Sequence, residues 1–584
     1  MLDDILSQVH KPGRYIGGEW NSSRKDFDKA KIRFALCFPD LYEVGMSNLG
    51  IRIIYGILNS IEDVCCERFF SCWHDLEGIL RDKRLEILSL ESAKRLRDFD
   101  IIGFSLGSEL AYTNVLTMLE LGGIPLESSR RKQQHPLVIA GGPCVLNPEP
   151  IHEFFDLFFI GEAESGITEL ITSYRSQKEG FREGRVSKEE LLSNFCRIHG
   201  VYVPSLYKVT YNARGGIEEF KPKTDKAPLK VKKAVVQDLN SSFFPVEWLL
   251  PYIQIVHDRI TLEIMRGCPN SCRFCQARAQ YFPPRARSVE NILGLAERAY
   301  ACSGYEELSL GGLSVSDYPG IEELVRELGS LFNHRAVSIS LPSIRAKKTL
   351  GSLLSLIAKL KKTGLTFAPE AGSERLRRII AKDFNQEAFF DSLKEAYLAG
   401  YQHVKLYFMI GLPFEENDDL DGIVDFALRV SELKRQIKGG PALVNISVNT
   451  FIPKPHTPLQ WFKMQEEAQI KQKQEYLKSK IRNKRLKINF QNRYMSFLEG
   501  VFSRGDRKLS GVISCAFRKG ARFDAWGDSF SFKIWLEAFE ELKIDPQAYL
   551  EGHPTEAVLP WDVIDIGIDK EALLGEFNKT VAMK

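Results

Sequence analysis

Short continuous apolar runs recur along the first third of this chain. Ile32-Arg-Phe-Ala-Leu-Cys-Phe38, Asp100-Ile-Ile-Gly-Phe-Ser105, Pro136-Leu-Val-Ile-Ala-Gly-Gly142 and Leu157-Phe-Phe-Ile-Gly161 each read as a buried strand, and the last three end in small residues. Leu49 to Leu58 has helical spacing. Buried strands separated by helical stretches predict a parallel sheet covered on both faces. The small residues then fall at strand carboxyl ends, where open α/β sheets bind ligands.

The pattern changes at about residue 200. Tyr207-Lys-Val-Thr-Tyr-Asn, Ala-Arg-Gly-Gly and Ile-Glu-Glu-Phe predict a hairpin, and the Lys- and Pro-rich stretch Lys221 to Lys233 reads as a linker. From residue 259 a second series begins. Its candidate strands are Thr261–Met265, Glu307–Leu310, Ala336–Leu341, Gly364–Ala368, His403–Phe408 and Leu443–Phe451. Helical patterns lie between them, for example Val289–Ala301, Ile321–Leu331 and Gln386–Ala399. Six βα units at this spacing predict a partial TIM barrel. After Pro458 the repeat stops. Residues 464–482 read as a charged helix, and Ser529–Leu542 as an amphipathic one with Phe532, Trp535, Leu536 and Phe539 inward. The chain thus divides into an α/β unit (1–199), a hairpin and linker (200–250), a partial (β/α)6 barrel (251–460) and a C-terminal α+β unit (461–584).

Composition adds limits. A chain of 584 residues is too long for one compact domain. Net charge is +3, so nucleic-acid binding would have to rest on a local patch. The N-terminal residues lack a signal-peptide pattern, and no apolar run is long enough for a bilayer, so a cytoplasmic protein is expected. The 11 cysteines are an odd, scattered set, which argues against a disulfide framework.

Only Cys268, Cys272 and Cys275 form a tight group of three, in Arg266-Gly-Cys268-Pro-Asn-Ser-Cys272-Arg-Phe-Cys275. They follow a predicted strand, at the barrel end that carries chemistry. Three thiolates leave one iron of a four-iron cluster open, whereas a structural zinc site or a closed cluster wants a fourth ligand. This Cys-x3-Cys-x2-Cys, with an aromatic before the last cysteine, resembles the signature of the radical S-adenosylmethionine (SAM) superfamily. The resemblance implies a [4Fe–4S] cluster whose open iron holds SAM, and reductive cleavage of SAM to a 5′-deoxyadenosyl radical. It places Phe274 near the adenine and Gly311 and Gly312 at the SAM amino group. The family often has Glu after these glycines, where this chain has Leu313. It also makes Ser343 and Arg345 candidates for the SAM carboxylate. Glu370, in Ala-Pro-Glu370-Ala-Gly-Ser373, resembles the ribose-binding Glu, and Met409-Ile410-Gly411-Leu-Pro413 the adenine support. Taken bottom-up, the glycines also suit turns, and Arg345 a solvated loop.

The first unit resembles the cobalamin-binding-like domain that precedes many radical SAM barrels. Asp40-Leu-Tyr42-Glu-Val-Gly45 has the spacing of the cobalamin motif Asp-x-His-x-x-Gly, with Tyr in place of His. Ser105, Gly141, Gly142, Gly161, Glu162 and Glu164 follow at later strand ends. Asp40 alone also reads as a helix cap. A methylthiotransferase would hold a second cluster on three N-terminal cysteines; Cys37 and Cys144 lie near two such strand ends, but the third offers Ser105. Across its length the chain resembles an uncharacterised bacterial family of radical SAM proteins with this N-terminal domain.

Together these features imply a cobalamin-dependent radical SAM enzyme, a methyltransferase, reduced by a flavodoxin or ferredoxin. The alternatives are the same radical chemistry without cobalamin, and a non-catalytic accessory protein that binds SAM or RNA. Ile470 to Lys487 carries eight basic residues against Glu475 alone, which suits either an RNA backbone or a solvated helix face. Arg504, Asp506, Arg518, Arg522, Asp524 and Trp526 are candidates for a substrate entrance, as is His456 between its prolines.

Overall fold

A computed structural model describes residues 2–341, 365–382, 384–437 and 439–584. β1 (Ile32–Phe38), β2 (Val64–Phe70), β3 (Ile101–Ser105), β4 (Leu137–Gly141), β5 (Leu157–Phe159) and β6 (Val201–Tyr202) form one sheet, in the order β2-β1-β3-β4-β5-β6. The first five are parallel and β6 is antiparallel to β5. The sheet is the expected doubly covered one, with helices Leu49–Ser60 and Tyr112–Leu121 in its crossovers.

Strand β2 is absent from the apolar pattern because Glu67 and Arg68 interrupt its run. Both are buried, at 1% and 0% exposure. Arg68 lies between Glu19 at 2.8 Å and Glu91 at 2.6 Å, so its charge is compensated inside the core.

β7 (Tyr207–Tyr211) and β8 (Ile217–Pro222) form the predicted hairpin. After β9 (Val231–Lys232), the barrel begins with β10 (Ile260–Glu263). β11 (Met265–Arg266) pairs with β12 (Arg285–Ala286), and β13 (Glu307–Gly311) and β14 (Ser338–Ser340) continue the barrel. Its second half is β15 (Leu365–Glu370), β16 (His403–Ile410), β17 (Leu443–Thr450) and β18 (Leu486–Phe490). Two parallel half-sheets result, β10-β13-β14 and β15-β16-β17-β18. The sixfold series is extended by β18, as the strand-like pattern from Ile488 suggests, after a charged helix, Glu467–Lys480.

The C-terminal third does not stand apart. Helices Arg493–Arg504, Leu509–Arg518 and Phe532–Glu541 bury Leu498, Val501, Ile513 and Trp535 in the same core as Leu116 and Val145 of the first sheet. Asp524 accepts hydrogen bonds from Thr113 Oγ1 at 2.7 Å and Trp535 Nε1 at 2.8 Å. The last strand, β19 (Ile564–Asp565), pairs with β9 inside the expected linker. Leu536, expected inward, is 46% exposed. The apolar stripe is centred on Trp535, Ala538 and Phe539, which leaves Leu536 on its rim. Among the described residues no helix is long and apolar enough to cross a membrane.

Candidate active site

The cysteine loop leaves β11 through Gly267, whose φ is +84°. A Cβ there would lie 2.6 Å from the Tyr281 carbonyl oxygen and 2.8 Å from Pro284 Cα, so the backbone requires glycine. Cys268, Cys272 and Cys275 are all partly exposed, while Cys37, Cys65, Cys66, Cys72, Cys144, Cys196 and Cys515 are buried. Cys37 lies in β1 and Cys144 beyond β4, both core residues. Burial raises the Cys275 thiol pKa, and nearby Cys268 and Glu370 add to the rise. A ligand that stabilises thiolate would reverse it.

Two residues that the sequence pattern does not mark hold this loop. Asn270 Nδ2 lies 3.2 Å from Cys268 Sγ and donates to Asp317 Oδ2 at 2.7 Å. Arg273 donates to the Ile379 carbonyl at 2.7 Å and to Glu576 Oε2 at 2.9 Å. The triplet is thereby fastened to the second half-barrel and to the C-terminal helix Lys570–Val581. Among the described residues no three His, Cys, Asp or Glu side chains converge on a single-ion position. Thiolates of a four-iron cluster bind separate irons and need no such convergence.

Phe274 packs against a small apolar group that includes Ala371, Leu412 and Phe451, and Met409 joins it. The sequence words around Glu370 and Met409 therefore meet at one end of the barrel. Glu370 ends β15 with φ at +69°. Burial raises its pKa, and Lys382, at 3.4 Å, partly offsets the rise. A buried carboxylate with one distant partner keeps acceptor capacity for hydroxyl donors. Ile410 is buried, and the Gly411 N–H donates to Glu415 Oε2 at 2.9 Å. Ser373 is structural. It caps helix Glu374–Ile379 through Leu376 N at 3.0 Å and donates to Asp419. Ser343 and Arg345 lie outside the described residues.

A cavity of about 590 Å³ lies between the carboxyl edge of the first sheet and the first half-barrel. Ser105, Gly141, Gly142, Gly161, Glu162 and Glu164 line it from one side, and Arg266, Gly267, Gly311 and Gly312 from the other. Its inner wall is apolar, from Phe34, Leu36, Ile139 and Phe159. At its rim, Arg266 is ion-paired with Glu164 and Glu263 at 2.7 and 2.8 Å, and Arg285 with Glu162 at 2.7 Å. Burial raises the pKa of Glu162, but its hydrogen bond from Arg285 and the charge of Arg266 outweigh this and leave it low.

Asp40, Tyr42 and Gly45 do not join that cavity. The Tyr42 hydroxyl donates to Glu19 at 2.9 Å within the Arg68 network. Asp40 accepts from Leu41 N at 2.7 Å and from Trp526 Nε1 at 2.9 Å. Gly45 packs against the Phe70 ring. Asp40 thus joins the sheet to the C-terminal region, while Tyr42, 2% exposed, and Gly45 pack within the first unit.

Residues 50–204 match the family described as radical SAM proteins, N-terminal, and residues 262–427 match the radical SAM superfamily. The chain carries a radical SAM domain, preceded by the N-terminal domain described for such proteins. An uncharacterised protein of Methanocaldococcus jannaschii is 29% identical to this radical SAM protein over 478 residues, 82% of this chain and 89% of the relative. A tRNA-2-methylthio-N(6)-dimethylallyladenosine synthase of Staphylococcus epidermidis is 27% identical over 235 residues, 36% of this chain and 44% of that enzyme. Among solved structures, the cobalamin-dependent S-adenosylmethionine radical enzyme OxsB with aqua-cobalamin bound aligns with a TM-score of 0.46 and 13% identity, over 94% of this chain and 79% of that one.

Most of the remaining candidates of this radical SAM protein have partners within the chain. His456 Nε2 hydrogen-bonds the Leu146 carbonyl at 3.0 Å, and burial lowers its pKa to about 4. Arg504 donates to the carbonyls of Pro453, Gln460, Tyr549 and Glu551. Arg522 pairs with Glu77 at 3.1 Å, and the Asp506 carboxylate accepts from the Tyr549 hydroxyl at 3.1 Å. Arg518 is exposed. His456, Arg522, Asp524 and Trp526 thus contact the first unit, whereas Arg504 and Asp506 bond within the C-terminal part of the chain. The basic run Ile470–Lys487 is likewise divided. Lys473 pairs with Glu415 and Lys480 with Asp421, and Lys478 lies over the Phe490 ring, whereas Lys487 belongs to β18.

Proposed function

We propose that this radical SAM protein is a cobalamin-dependent methyltransferase. The carrying observation is the cavity that joins the carboxyl edge of the first sheet to the strand leading into the cysteine loop. Cys268, Cys272 and Cys275 would hold a [4Fe–4S] cluster, which supplies reductive cleavage of SAM to a 5′-deoxyadenosyl radical. Phe274, Gly311, Gly312, Glu370, Ile410 and Gly411 would place the SAM molecule, with Glu370 accepting from ribose hydroxyls. An electron donor of flavodoxin or ferredoxin type would reduce the cluster.

The cavity's lining suits the apolar part of a large cofactor. Its inner wall is apolar, and Gly141 and Gly142 bring backbone to its surface. Cobalamin bound there would supply a transferable methyl group. No histidine among the described residues lines the cavity, and Tyr42 is committed to Glu19, so this chain offers cobalt no imidazole from that motif. The ion pairs of Arg266 and Arg285 would keep the two cofactor sites in fixed relation.

Anaerobic purification with iron, sulfide and corrinoid quantified before SAM is added tests this reading. The expected result is a four-iron cluster, bound corrinoid, and 5′-deoxyadenosine formed on reduction with SAM. Absence of corrinoid binding at micromolar concentration would defeat the methyltransferase and leave a cobalamin-independent radical enzyme. A reconstituted cluster that yields no 5′-deoxyadenosine would leave an accessory protein.

A further inference from the structure

The interior of a closed barrel is ordinarily filled by packed branched aliphatic side chains. The half-sheet β15-β16-β17-β18 departs from this. In β16, Val404, Leu406, Phe408 and Ile410 are buried in the core that contains Val424 and Phe426 of the covering helix Asn417–Ile437. Val444, Ile446 and Val448 of β17 and Leu486 of β18 join the same core. The period of two then turns the intervening residues to the barrel interior.

Most of those residues are polar, with Leu443 and Met409 the apolar exceptions at the two ends. Register aligns Lys405, Asn445 and Lys487 in one row across three strands. Tyr407 and Asn489 lie in the next row, and Asn449 one step further along β17. Lys405, Asn445, Asn449, Lys487 and Asn489 are all exposed. Lys405 Nζ sits 4.7 Å over the Tyr407 ring, so both side chains occupy this face. Among the described residues neither lysine has an ion pair, and the three asparagine side chains make no hydrogen bond. Residues 342–364, which connect the two half-sheets, contain no Asp or Glu.

Among the described residues no hydrogen bond or ion pair accounts for this wall. Two lysines on one concave face repel, and uncovered amides contribute no stability. The arrangement does suit a ligand. Strand spacing puts the Cα atoms of Lys405 and Lys487 about 10 Å apart, a separation for two anionic groups of one molecule. Carboxylate recognition favours the Arg fork, which the wall lacks; Lys serves phosphate as a point charge. Four residues along β16 separate Lys405 from Met409, about 13 Å. Met409 packs in the group that contains Phe274, beside Cys275. A chain anchored at the lysines would thus reach the cysteine end of the barrel.

We propose that this inner wall binds a substrate carrying more than one phosphate, an RNA strand or a nucleoside polyphosphate. Lys405 and Lys487 each neutralise a phosphate, and Asn445, Asn449 and Asn489 pair with polar groups along the chain. The inference rests on the radical SAM reading, because it supplies that reading's substrate class.

The test uses the full-length, anaerobically reconstituted protein with two probes, a fluorescent uridylate hexamer and uridine triphosphate. Binding of either at micromolar concentration, weakened about tenfold or more in K405Q/K487Q and restored by K405R/K487R, supports the proposal. For the hexamer, the slope of log affinity against log salt should fall by about 1.4 in K405Q/K487Q. Hexamer binding alone assigns a polymer, and triphosphate binding alone assigns a small nucleotide. Failure of the wild type to bind either probe overturns the proposal. So does an equal loss in K471Q/K478Q, which alters exposed lysines of the outer helix. Formation of 5′-deoxyadenosine by the wild type is read separately: its absence defeats the radical reading and leaves the phosphate site standing.

Discussion

Arg266 Nη2 donates a 2.7 Å hydrogen bond to Glu164 Oε1. Glu164 follows β5 of the first sheet, and Arg266 ends the strand two residues before Cys268. The contact ties the sheet to the cysteine loop across the cavity rim. Arg266 also serves Glu263, at 2.8 Å, and Glu162, at 3.2 Å, so one guanidinium compensates three carboxylates.

Removal of that guanidinium leaves buried carboxylates without their common partner. R266A should destabilise the protein by about 3–5 kcal/mol. E164A leaves Arg266 with two carboxylates and should cost about 1–2 kcal/mol. Denaturant unfolding of both variants measures the difference, and equal effects would show that the network is not centred on Arg266.

The partly exposed triplet and the buried cysteines should separate in metal content. C268A, C272A or C275A should lose the iron and sulfide of the reconstituted protein and all formation of 5′-deoxyadenosine. C37A and C144A should keep both, because these thiols lie in the core. Iron loss in C144A would instead support a second, N-terminal cluster.

Adjacent glycines at the cavity should respond differently. A Cβ at Gly141 would meet the Phe159 carbonyl oxygen at 3.5 Å, an ordinary contact. G141V should therefore fold normally and fill cavity space, with corrinoid binding weakened about tenfold or more. Gly142 has φ at +102°, and its Cβ would lie 2.7 Å from the Leu106 carbonyl oxygen. G142A should lower the melting temperature as well as binding. Equilibrium titration with aqua-cobalamin and thermal unfolding together distinguish the two.

Acid should weaken the joint between the first sheet and the barrel. The His456 imidazole is buried and neutral, with a folded-state pKa of about 4, against about 6.5 when unfolded. The unfolded chain thus binds the proton first as pH falls. This contribution is complete above pH ~6.5 and is lost progressively down to pH ~4. At pH ~5 the loss from this one group is about 2 kcal/mol. H456Q should lose correspondingly less stability between pH ~7 and ~5 in urea unfolding. His152 and His553, both pushed down to about 3 by burial, keep part of the acid sensitivity in the variant.

The cysteine triplet, Phe274 and the strand pattern were legible in the sequence because each depends on local spacing. A thiol every three or four residues after a strand states its chemistry without the rest of the fold. Alternating apolar runs likewise state both sheets, down to β1 at Ile32–Phe38. Strand β2 was hidden because Arg68 is compensated by Glu19 and Glu91, which are distant in sequence. The roles of Asp40 and Tyr42 were hidden for the same reason: their partners, Trp526 and Glu19, are set by packing. Only the tertiary structure brought Ser105 and Gly141 to face Arg266 and Gly311 across one cavity. It alone separated Lys487 from the outer basic helix and set it in register with Lys405. Long-range pairing of charges and the facing of strands are decided by which surfaces the apolar core brings together, and no local spacing encodes that.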